Sequence, residues 1–233
     1  MQPHVVFFDL DNTLTHRLRS IEAYAGLFAS HFATHLGINA QPLIAQVIAD
    51  EDNGGYLPPD SVQPNIRTAV AVSLGERLRW RTPVPVAELA DHWFKHFPTQ
   101  SVEMPGASHL IESLVARGMK VAIISNGARQ SREATLAHLP FKHHVSVLIC
   151  SESAGCRKPD PGIFLHAAQT LSTSPRQCLY VGDHPINDVR GAMAAGMSAV
   201  WLSGFHVWPE DEPPPAARVE KLLDILPLMD VQD

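Results

Sequence analysis

The sequence predicts an α/β protein in which a parallel sheet carries helices on both faces and an all-helical module interrupts the sheet early in the chain. From about residue 107 onwards, short apolar segments alternate with amphipathic ones, which is typical of parallel strands joined by right-handed helical crossovers. Between Ser20 and about Trp93 only helical patterns occur, although a compact apolar strand, Val5–Phe8, precedes them. This first strand is therefore expected to join a sheet whose other strands follow the helical module.

The helical module is predicted to contain four helices. The stretch SIEAYAGLFASHFATHLG places five apolar side chains on one face, with Ser20 as the expected N-cap and Gly37 as the expected stop. Further helices are predicted over residues 42–49, 65–78 and 86–97, and EDNGGYLPPD is expected to form a loop. These patterns predict a helical domain of residues 16–102, inserted into a sheet domain made of residues 1–15 and 103–233.

The sheet domain is predicted from the alternating segments that follow the tripeptide MPG at residues 104–106. Strands are expected at residues 120–124, 145–149, 177–181 and 198–202. Helices are expected at residues 107–117, 130–138, 162–171, 188–195 and 219–228, with PEDEPPPAAR as a surface loop before the last one. This order predicts a Rossmann-like core whose strands are buried on both faces.

Composition and charge narrow the class of protein. With 45% hydrophobic and 18% charged residues in 233, the chain has the composition of an ordinary soluble globular protein. The net charge of -6 and the lack of Lys/Arg runs argue against a nucleic-acid partner, and no apolar stretch reaches the length of a membrane span. Cys150, Cys156 and Cys178 lack metal-type spacing and are interpreted as reduced cytoplasmic thiols, with an approach of Cys150 to Cys156 as the alternative.

Polar side chains follow four of the predicted strands. The carboxyl ends of parallel strands lie at one edge of a sheet, and ligands of open α/β sheets bind beyond that edge. The segments that meet there are DLDNT, SNG, RKPDP and GDHPIND. The candidate site residues in these segments are Asp9, Asp11, Thr13, Ser125, Asn126, Lys158, Asp183 and Asp188.

This set of side chains points to phosphoryl chemistry. Four carboxylates in one crevice repel one another unless a cation lies among them. A donor set of oxygens without thiolates favours Mg²⁺ as that cation. A divalent ion, a lysine and hydroxyl or amide donors are what a phosphoryl group requires, and a carboxylate can act as the nucleophile toward it.

The four segments together resemble the motifs of the haloacid dehalogenase-like superfamily. The resemblance covers Val5–Thr15 and the region from about Pro105 to Leu202, in the family's order and at predicted strand ends. It implies a helical cap inserted after the first motif, which would close over the cleft and choose the leaving group. It also implies Mg²⁺ as cofactor and an aspartyl-phosphate intermediate.

The resemblance further implies a role for each residue of the first two motifs. Asp9 would be the nucleophile and a metal ligand. Asp11 would be the general acid and base, with its backbone carbonyl on the metal. Thr13 would stabilise the turn that sets the spacing between Asp9 and Asp11, and it is counted among the phosphate-binding residues. Ser125 and the amide of Asn126 would hold phosphate oxygens.

The last two motifs complete the implied machinery. Lys158 would bridge Asp9 and the phosphoryl group, and so serve both in catalysis and in phosphate binding. Asp183 would bind Mg²⁺, and Asp188 would bind or orient the metal shell. In the family's dehalogenases the position of Asp11 is not an acid, so the aspartate favours a phosphate ester.

The predicted function is therefore a Mg²⁺-dependent phosphatase that hydrolyses a small soluble phosphomonoester. A phosphomutase of the same superfamily remains the enzymatic alternative, and a non-catalytic metabolite-binding or partner-binding member is the alternative of another class. The expected partner is a small phosphorylated metabolite, and the protein is expected to be a monomer or homodimer. His16, Arg17 and Arg19 are interpreted as solvated surface charges rather than as substrate contacts.

Overall fold

The computed structural model describes residues 3–37, 40–58 and 60–230. The chain divides into two compact units. One unit comprises Met1–Thr15 and Glu103–Asp233, and the other comprises His16–Val102. The first is called the sheet unit and the second the helical unit.

In the part of the chain that the structure describes, the helical unit has four α-helices around its own apolar core. The helices are α1 (Arg17–His31), α2 (Gln41–Asp52), α3 (Ile66–Arg77) and α4 (Val86–His96). Their apolar faces bury aromatic and aliphatic side chains, among them Tyr24, Phe28 and Leu74, which are fully buried. Trp93 also lies in this core, where its ring stacks on Phe97 at 4.0 Å between centroids.

The start and end of α1 differ from the prediction. The helix begins at Arg17 and ends at His31, so Ser20 is an interior residue and Gly37 lies beyond the helix. The Ser20 hydroxyl donates to the His16 carbonyl at 3.0 Å and accepts from the Val102 amide at 2.9 Å. Back-bonding of a serine to the preceding turn is compatible with a helix interior, so the residue type alone did not mark the cap.

Arg17 is not a solvated surface charge, and that prediction was wrong. Its guanidinium makes two hydrogen bonds to the Asp52 carboxylate, from Nε at 2.7 Å and from Nη2 at 2.6 Å, and both residues are buried. It also lies over the Phe97 ring, 5.3 Å from the centroid. Asp52 is 35 positions away, so no local spacing indicates the pair. Arg19, in contrast, is exposed.

The sheet unit contains a six-stranded sheet in the order β3-β2-β1-β4-β5-β6. Its strands are β1 (Val5–Phe8), β2 (Lys120–Ser125), β3 (Val145–Cys150), β4 (Cys178–Gly182), β5 (Ser198–Leu202) and β6 (Arg218–Val219). Its helices are α5 (Ala107–Ala116), α6 (Arg129–Ala137), α7 (Ser151–Ala154), α8 (Pro161–Thr170), α9 (Gly191–Ala194) and α10 (Ile225–Asp230). All strand pairs are parallel, which confirms the predicted α/β Rossmann-like class.

Strand β1 lies in the middle of the sheet. Val5 pairs with Lys120 of β2 on one side and with Cys178 of β4 on the other. Side chains alternate between the faces of a strand, so Val6 and Phe8 join one apolar core and Val5 and Phe7 join the other. The two cores keep β1 buried on both faces, and its carboxyl end delivers the acids that follow it to the centre of the sheet edge.

Two elements near the end of the chain differ from the prediction. The helix expected at residues 188–195 begins earlier, as a π-helical segment over Pro185–Arg190 that continues into α9. The helix expected at residues 219–228 is replaced by the two-residue strand β6, a short 3₁₀ turn over Leu222–Asp224 and α10. A two-residue strand is too short to show an alternating pattern.

Two expectations from composition can be checked in the described residues. Within them, no helix is both long and apolar enough to cross a membrane. The three cysteines are free thiols, with Cys150 and Cys178 buried and Cys156 half-buried. The prediction of unpaired thiols is confirmed.

Candidate active site

A tight turn after β1 presents Asp9 and Asp11. The Asp9 amide donates to the Val181 carbonyl at 2.9 Å, which continues the pairing of β1 with β4. The Leu10 carbonyl then accepts from the Leu14 amide at 2.9 Å and from the Thr15 amide at 2.8 Å. The Thr15 hydroxyl adds a third hydrogen bond to the same carbonyl, at 3.1 Å.

Thr13 has a different environment from that of Thr15. Its hydroxyl is fully buried, and among the described residues it has no hydrogen-bond partner. The hydrogen bonds that close the turn therefore involve Thr15, although the motif resemblance pointed to Thr13. A buried hydroxyl without a partner is costly, so it marks a position where a ligand oxygen would be stabilised.

Three buried carboxylates meet at the carboxyl edge of the sheet. Asp9, Asp183 and Asp188 each offer an oxygen, and these oxygens all lie within 4.8 Å of one another. Lys158 Nζ lies among them, 2.6 Å from Asp9 Oδ1 and 2.6 Å from Asp188 Oδ1. The structure thus brings together four residues that come from three different predicted motifs.

Burial and mutual repulsion disfavour the charged forms of these acids. Burial raises the pKa of Asp9 from 3.8 to about 7, the Lys158 ammonium lowers it, and the carboxylates of Asp188 and Asp11 raise it. Burial, followed by Asp188 and Asp9, also raises the pKa of Asp183 well above its usual range. One ammonium therefore does not compensate the three carboxylates.

The carboxylate cluster fits a hard divalent cation. Its donors are oxygens only, they are close enough to share one ion, and the charge on them is undercompensated. These properties suit Mg²⁺, which prefers carboxylate oxygens and usually keeps several waters. Asp9, Asp183 and Asp188 are the residues that would hold the ion.

Two neighbours fix the position of Lys158. The Asn126 side chain brackets its backbone, accepting from the Lys158 amide at 2.9 Å and donating to its carbonyl at 3.0 Å. The Tyr180 hydroxyl accepts from Lys158 Nζ at 3.0 Å. Asn126 thus links the second motif to the third, a function of its side chain that the prediction of a phosphate-binding backbone amide did not include. Ser125 lies buried at the end of β2.

A glycine makes room for Asp188. A Cβ placed on Gly182 would lie 2.4 Å from the Asp188 carboxyl group, so any side chain there would displace it. The second carboxylate oxygen of Asp188 accepts from the His184 amide at 2.9 Å. The GD pair of the acidic motif therefore has a steric reason as well as a chemical one.

Asp11 stands apart from the carboxylate cluster. Its side chain is half-buried, and Oδ2 forms a salt bridge with Arg132 Nη1 at 2.8 Å. The cluster of three acids does not include the Asp11 carboxylate, so a metal contact of this residue would have to use its backbone carbonyl. Arg132 was not among the predicted site residues, because it lies on α6 outside every motif.

Two histidines flank the cluster. His184 Nδ1 accepts from the amides of Ile186 and Asn187, each at 3.1 Å, so the imidazole caps the π-helical segment. His206 Nε2 lies 3.4 Å from Asp183 Oδ2. Burial lowers the pKa of both rings. His206 follows β5 in a loop that no sequence pattern singled out.

Comparison with known proteins assigns the chain to a family. The family model for haloacid dehalogenase-like hydrolases matches residues 3–196. The phosphoserine phosphatase of Thermus thermophilus is 33% identical over 145 residues. That alignment covers 61% of this chain and 57% of the relative, so the chain spans less than two thirds of that protein.

Two solved structures share the fold over nearly the whole chain. The HAD-hydrolase YfnB from Bacillus subtilis, bound to magnesium, has a TM-score of 0.72 at 18% identity and covers 99% of this chain and 100% of that chain. The L-2-haloacid dehalogenase from Xanthobacter autotrophicus also has a TM-score of 0.72, at 19% identity, with the same coverage. At such identities the likeness concerns the fold and not the activity. Because the family model covers most of the chain, this protein belongs to the haloacid dehalogenase-like hydrolases.

Proposed function

We propose that this hydrolase is a Mg²⁺-dependent phosphatase that cleaves a small phosphomonoester through an aspartyl-phosphate on Asp9. The observation that carries the proposal is the second carboxylate of the first motif. Asp11 follows Asp9 in the same turn but lies outside the carboxylate cluster, beside Arg132. Two acids with different surroundings can divide nucleophilic work from proton transfer. Departure of a halide needs no proton, so an acid at this position favours a phosphate ester.

In the first step, an Asp9 carboxylate oxygen attacks phosphorus and the ester P–O bond breaks. The leaving alcohol takes its proton from Asp11. Lys158 and the residues at the end of β2, Ser125 and the Asn126 amide, take up charge on the phosphoryl oxygens. Lys158 is already 2.6 Å from the Asp9 carboxylate, so it can also keep Asp9 ionised.

In the second step, water attacks the phosphorus of the aspartyl-phosphate. Asp11, now a carboxylate, accepts the proton of that water. The bond between phosphorus and Asp9 breaks, inorganic phosphate leaves, and Asp9 returns to its carboxylate form. Proton transfer by a positioned residue typically contributes about 10²–10⁴-fold to the rate of such a step.

Asp9, Asp183 and Asp188 would hold the metal ion through carboxylate oxygens. When bound, Mg²⁺ supplies the positive charge that lets a dianionic phosphate approach the Asp9 carboxylate. The magnesium in the structure of the YfnB hydrolase supports this choice of ion. The name of the phosphoserine phosphatase relative supports a phosphorylated metabolite as substrate.

The helical unit is proposed to be the cap that the family resemblance implies. It follows the first motif directly and has an apolar core of its own, as an inserted domain requires. A cytoplasmic location is proposed as well, since the chain carries three free thiols.

A substrate screen with purified protein tests the function. The protein is assayed for phosphate release from a panel of phosphorylated metabolites, with Mg²⁺ or with EDTA, and the Asp9→Asn variant is the matched control. We expect phosphate release that needs Mg²⁺ and is lost in the variant. Halide release from a 2-haloacid without phosphate release, or full activity in EDTA, would overturn the proposal. Transfer of the phosphoryl group within a sugar phosphate would identify a mutase instead.

A further inference from the structure

Arg132 connects the first motif to the loop that follows β2. Its Nη1 forms the salt bridge with Asp11 Oδ2 at 2.8 Å. Its Nε and Nη2 donate to the Asn126 carbonyl, at 3.2 Å and 2.8 Å. The side chain is only 16% exposed. All three nitrogens of the guanidinium are therefore engaged within the sheet unit. Among the described residues, Asp11 is the one acid with which they form a salt bridge.

The loop is shaped to accept this guanidinium. Gly127 has a φ of +145°, and a Cβ at this position would lie 2.7 Å from Arg132 Nε. The Gly127 amide donates to the Ser151 hydroxyl at 3.0 Å, which holds the loop on the other side. The planar fork of an arginine, fixed on a backbone carbonyl, is a rigid anchor for a carboxylate.

A neighbouring arginine on the same helix shows the contrast. Arg129 pairs with Glu133 at 2.6 Å, but its side chain is 64% exposed, and the pair has the i,i+4 spacing of an ordinary surface ion pair. Arg132 is three positions further along α6 and faces the site instead. This difference provides a control residue of the same type on the same element.

We infer that Arg132 is a positioning residue that orients the Asp11 carboxyl group for proton transfer to the leaving oxygen. The inference rests on the proposed function. A guanidinium bonded to Oδ2 restricts rotation of the carboxyl plane, and this sets where Oδ1 lies. A general acid must be within hydrogen-bond distance of the leaving oxygen. A misplacement of about 1 Å costs on the order of 10²-fold in rate.

The test compares two substrates that differ in how much the leaving group needs a proton. The probes are phenyl phosphate and p-nitrophenyl phosphate, because phenolate is the more basic of two leaving groups of similar shape. The measured quantity is kcat/KM with Mg²⁺, which covers the steps up to departure of the phenol. Arg132→Gln is expected to slow phenyl phosphate at least about tenfold more than p-nitrophenyl phosphate, within the range that acid catalysis spans.

Three further variants separate positioning from other roles. Arg129→Gln should change neither value. Arg132→Lys keeps the positive charge but lacks the planar guanidinium. Its loss of kcat/KM should also be larger on phenyl phosphate than on p-nitrophenyl phosphate, but by a smaller factor than in Arg132→Gln. In an Asp11→Asn background, Arg132→Gln should cause little further loss, since a residue that acts through Asp11 has nothing left to orient. If Arg132→Gln does not fold, as judged by circular dichroism, Arg132→Lys tests the inference instead. The quantity compared is then its loss of kcat/KM on phenyl phosphate relative to its loss on p-nitrophenyl phosphate.

Several results would overturn the inference. Equal losses on both substrates would make Arg132 a structural residue, and a raised KM with unchanged kcat on both would make it a phosphate-binding residue. Full additivity with Asp11→Asn would show that it acts independently of the acid. If the wild-type protein hydrolyses neither probe nor any phosphate ester, the proposed function fails first, and this inference fails with it.

Discussion

Replacement of Lys158 by methionine should destabilise the metal-free protein strongly. The ammonium is buried and lies 2.6 Å from a carboxylate oxygen of Asp9 and 2.6 Å from one of Asp188. Methionine fills similar space but leaves both carboxylates without their cation. Removal of one partner of a buried ion pair typically costs about 3–5 kcal/mol, a large share of the roughly 5–15 kcal/mol that holds a domain folded.

The loss should depend on pH, because protonation can relieve the uncompensated charge. Burial raises the pKa of Asp9 to about 7, and the Lys158 ammonium opposes that rise. Without the ammonium, Asp9 takes up a proton at still higher pH. The full loss is therefore expected above about pH 8, and a smaller loss near pH 5, where one charge is neutralised.

Urea unfolding in EDTA, followed by tryptophan fluorescence, measures the free energy of unfolding of each variant. The control is Lys142→Met, because Lys142 is exposed and its Nζ donates to the Ala137 carbonyl, at 2.7 Å, and not to a buried carboxylate. The free energy of unfolding of Lys142→Met should stay within about 0.5 kcal/mol of the wild-type value. A loss below about 1 kcal/mol for Lys158→Met at pH 8, or one that does not shrink at pH 5, would refute the view that Lys158 compensates buried carboxylates.

Five other predictions concern the same site. Asp11→Asn should lower kcat/KM by about 10²–10⁴-fold for an alkyl phosphate, whose leaving group needs a proton, and far less for p-nitrophenyl phosphate. Equal losses of kcat/KM for the two substrates would contradict the role of Asp11 as general acid. In EDTA, the stability of the wild-type protein should fall as the pH rises from about 4 to about 7, because in this range Asp9 keeps its proton in the folded state but loses it in the unfolded chain. A melting temperature that does not change over this range would contradict the raised pKa of Asp9. Mg²⁺ should therefore raise the melting temperature more at pH 8 than at pH 5. Ca²⁺ should inhibit turnover, because it prefers longer bonds and more ligands than Mg²⁺ does. Gly182→Ala should weaken Mg²⁺ binding, measured by calorimetry, because the new Cβ displaces Asp188, whereas Gly37→Ala meets no atom within 4 Å and should leave it unchanged.

Much of the site could be predicted because topology does the assembly. Apolar runs identify buried strands, and parallel strands place their carboxyl ends at one edge. The residues just after those runs therefore meet in space, although Asp9 and Lys158 are 149 positions apart. The oxygen-rich character of the set needs no coordinates, since it follows from the residue types alone.

The ion pairs of Arg17 and Arg132 could not be predicted. The topology of parallel strands determines which strand ends meet, but it does not determine which side chains a helix residue contacts. Arg17 and Arg132 lie on helices where a charged residue is normally solvated, and their partners Asp52 and Asp11 are distant in sequence. A helix pattern shows which face is apolar, but it does not show which arginine at the border of that face turns inward. The loop of His206 has no periodicity at all, so only the fold brings its ring to Asp183.

The position of Thr13 illustrates a finer limit. The sequence shows two threonines two positions apart in the turn, and each could supply the hydroxyl that bonds the Leu10 carbonyl. The structure assigns that hydrogen bond to Thr15 and leaves the Thr13 hydroxyl buried without a partner among the described residues. Backbone geometry decides between them, with Asn12 at a φ of 56°, and residue type does not.

The covalent intermediate tests the central claim most directly. The protein is mixed with p-nitrophenyl phosphate and Mg²⁺, quenched in acid during turnover, and examined by mass spectrometry of the intact chain and of its peptides. We expect one added phosphoryl group, labile to hydroxylamine, on the peptide that contains Asp9, and none in Asp9→Asn. Phosphate release by the wild-type protein without such an adduct, or an adduct on another residue, would contradict it.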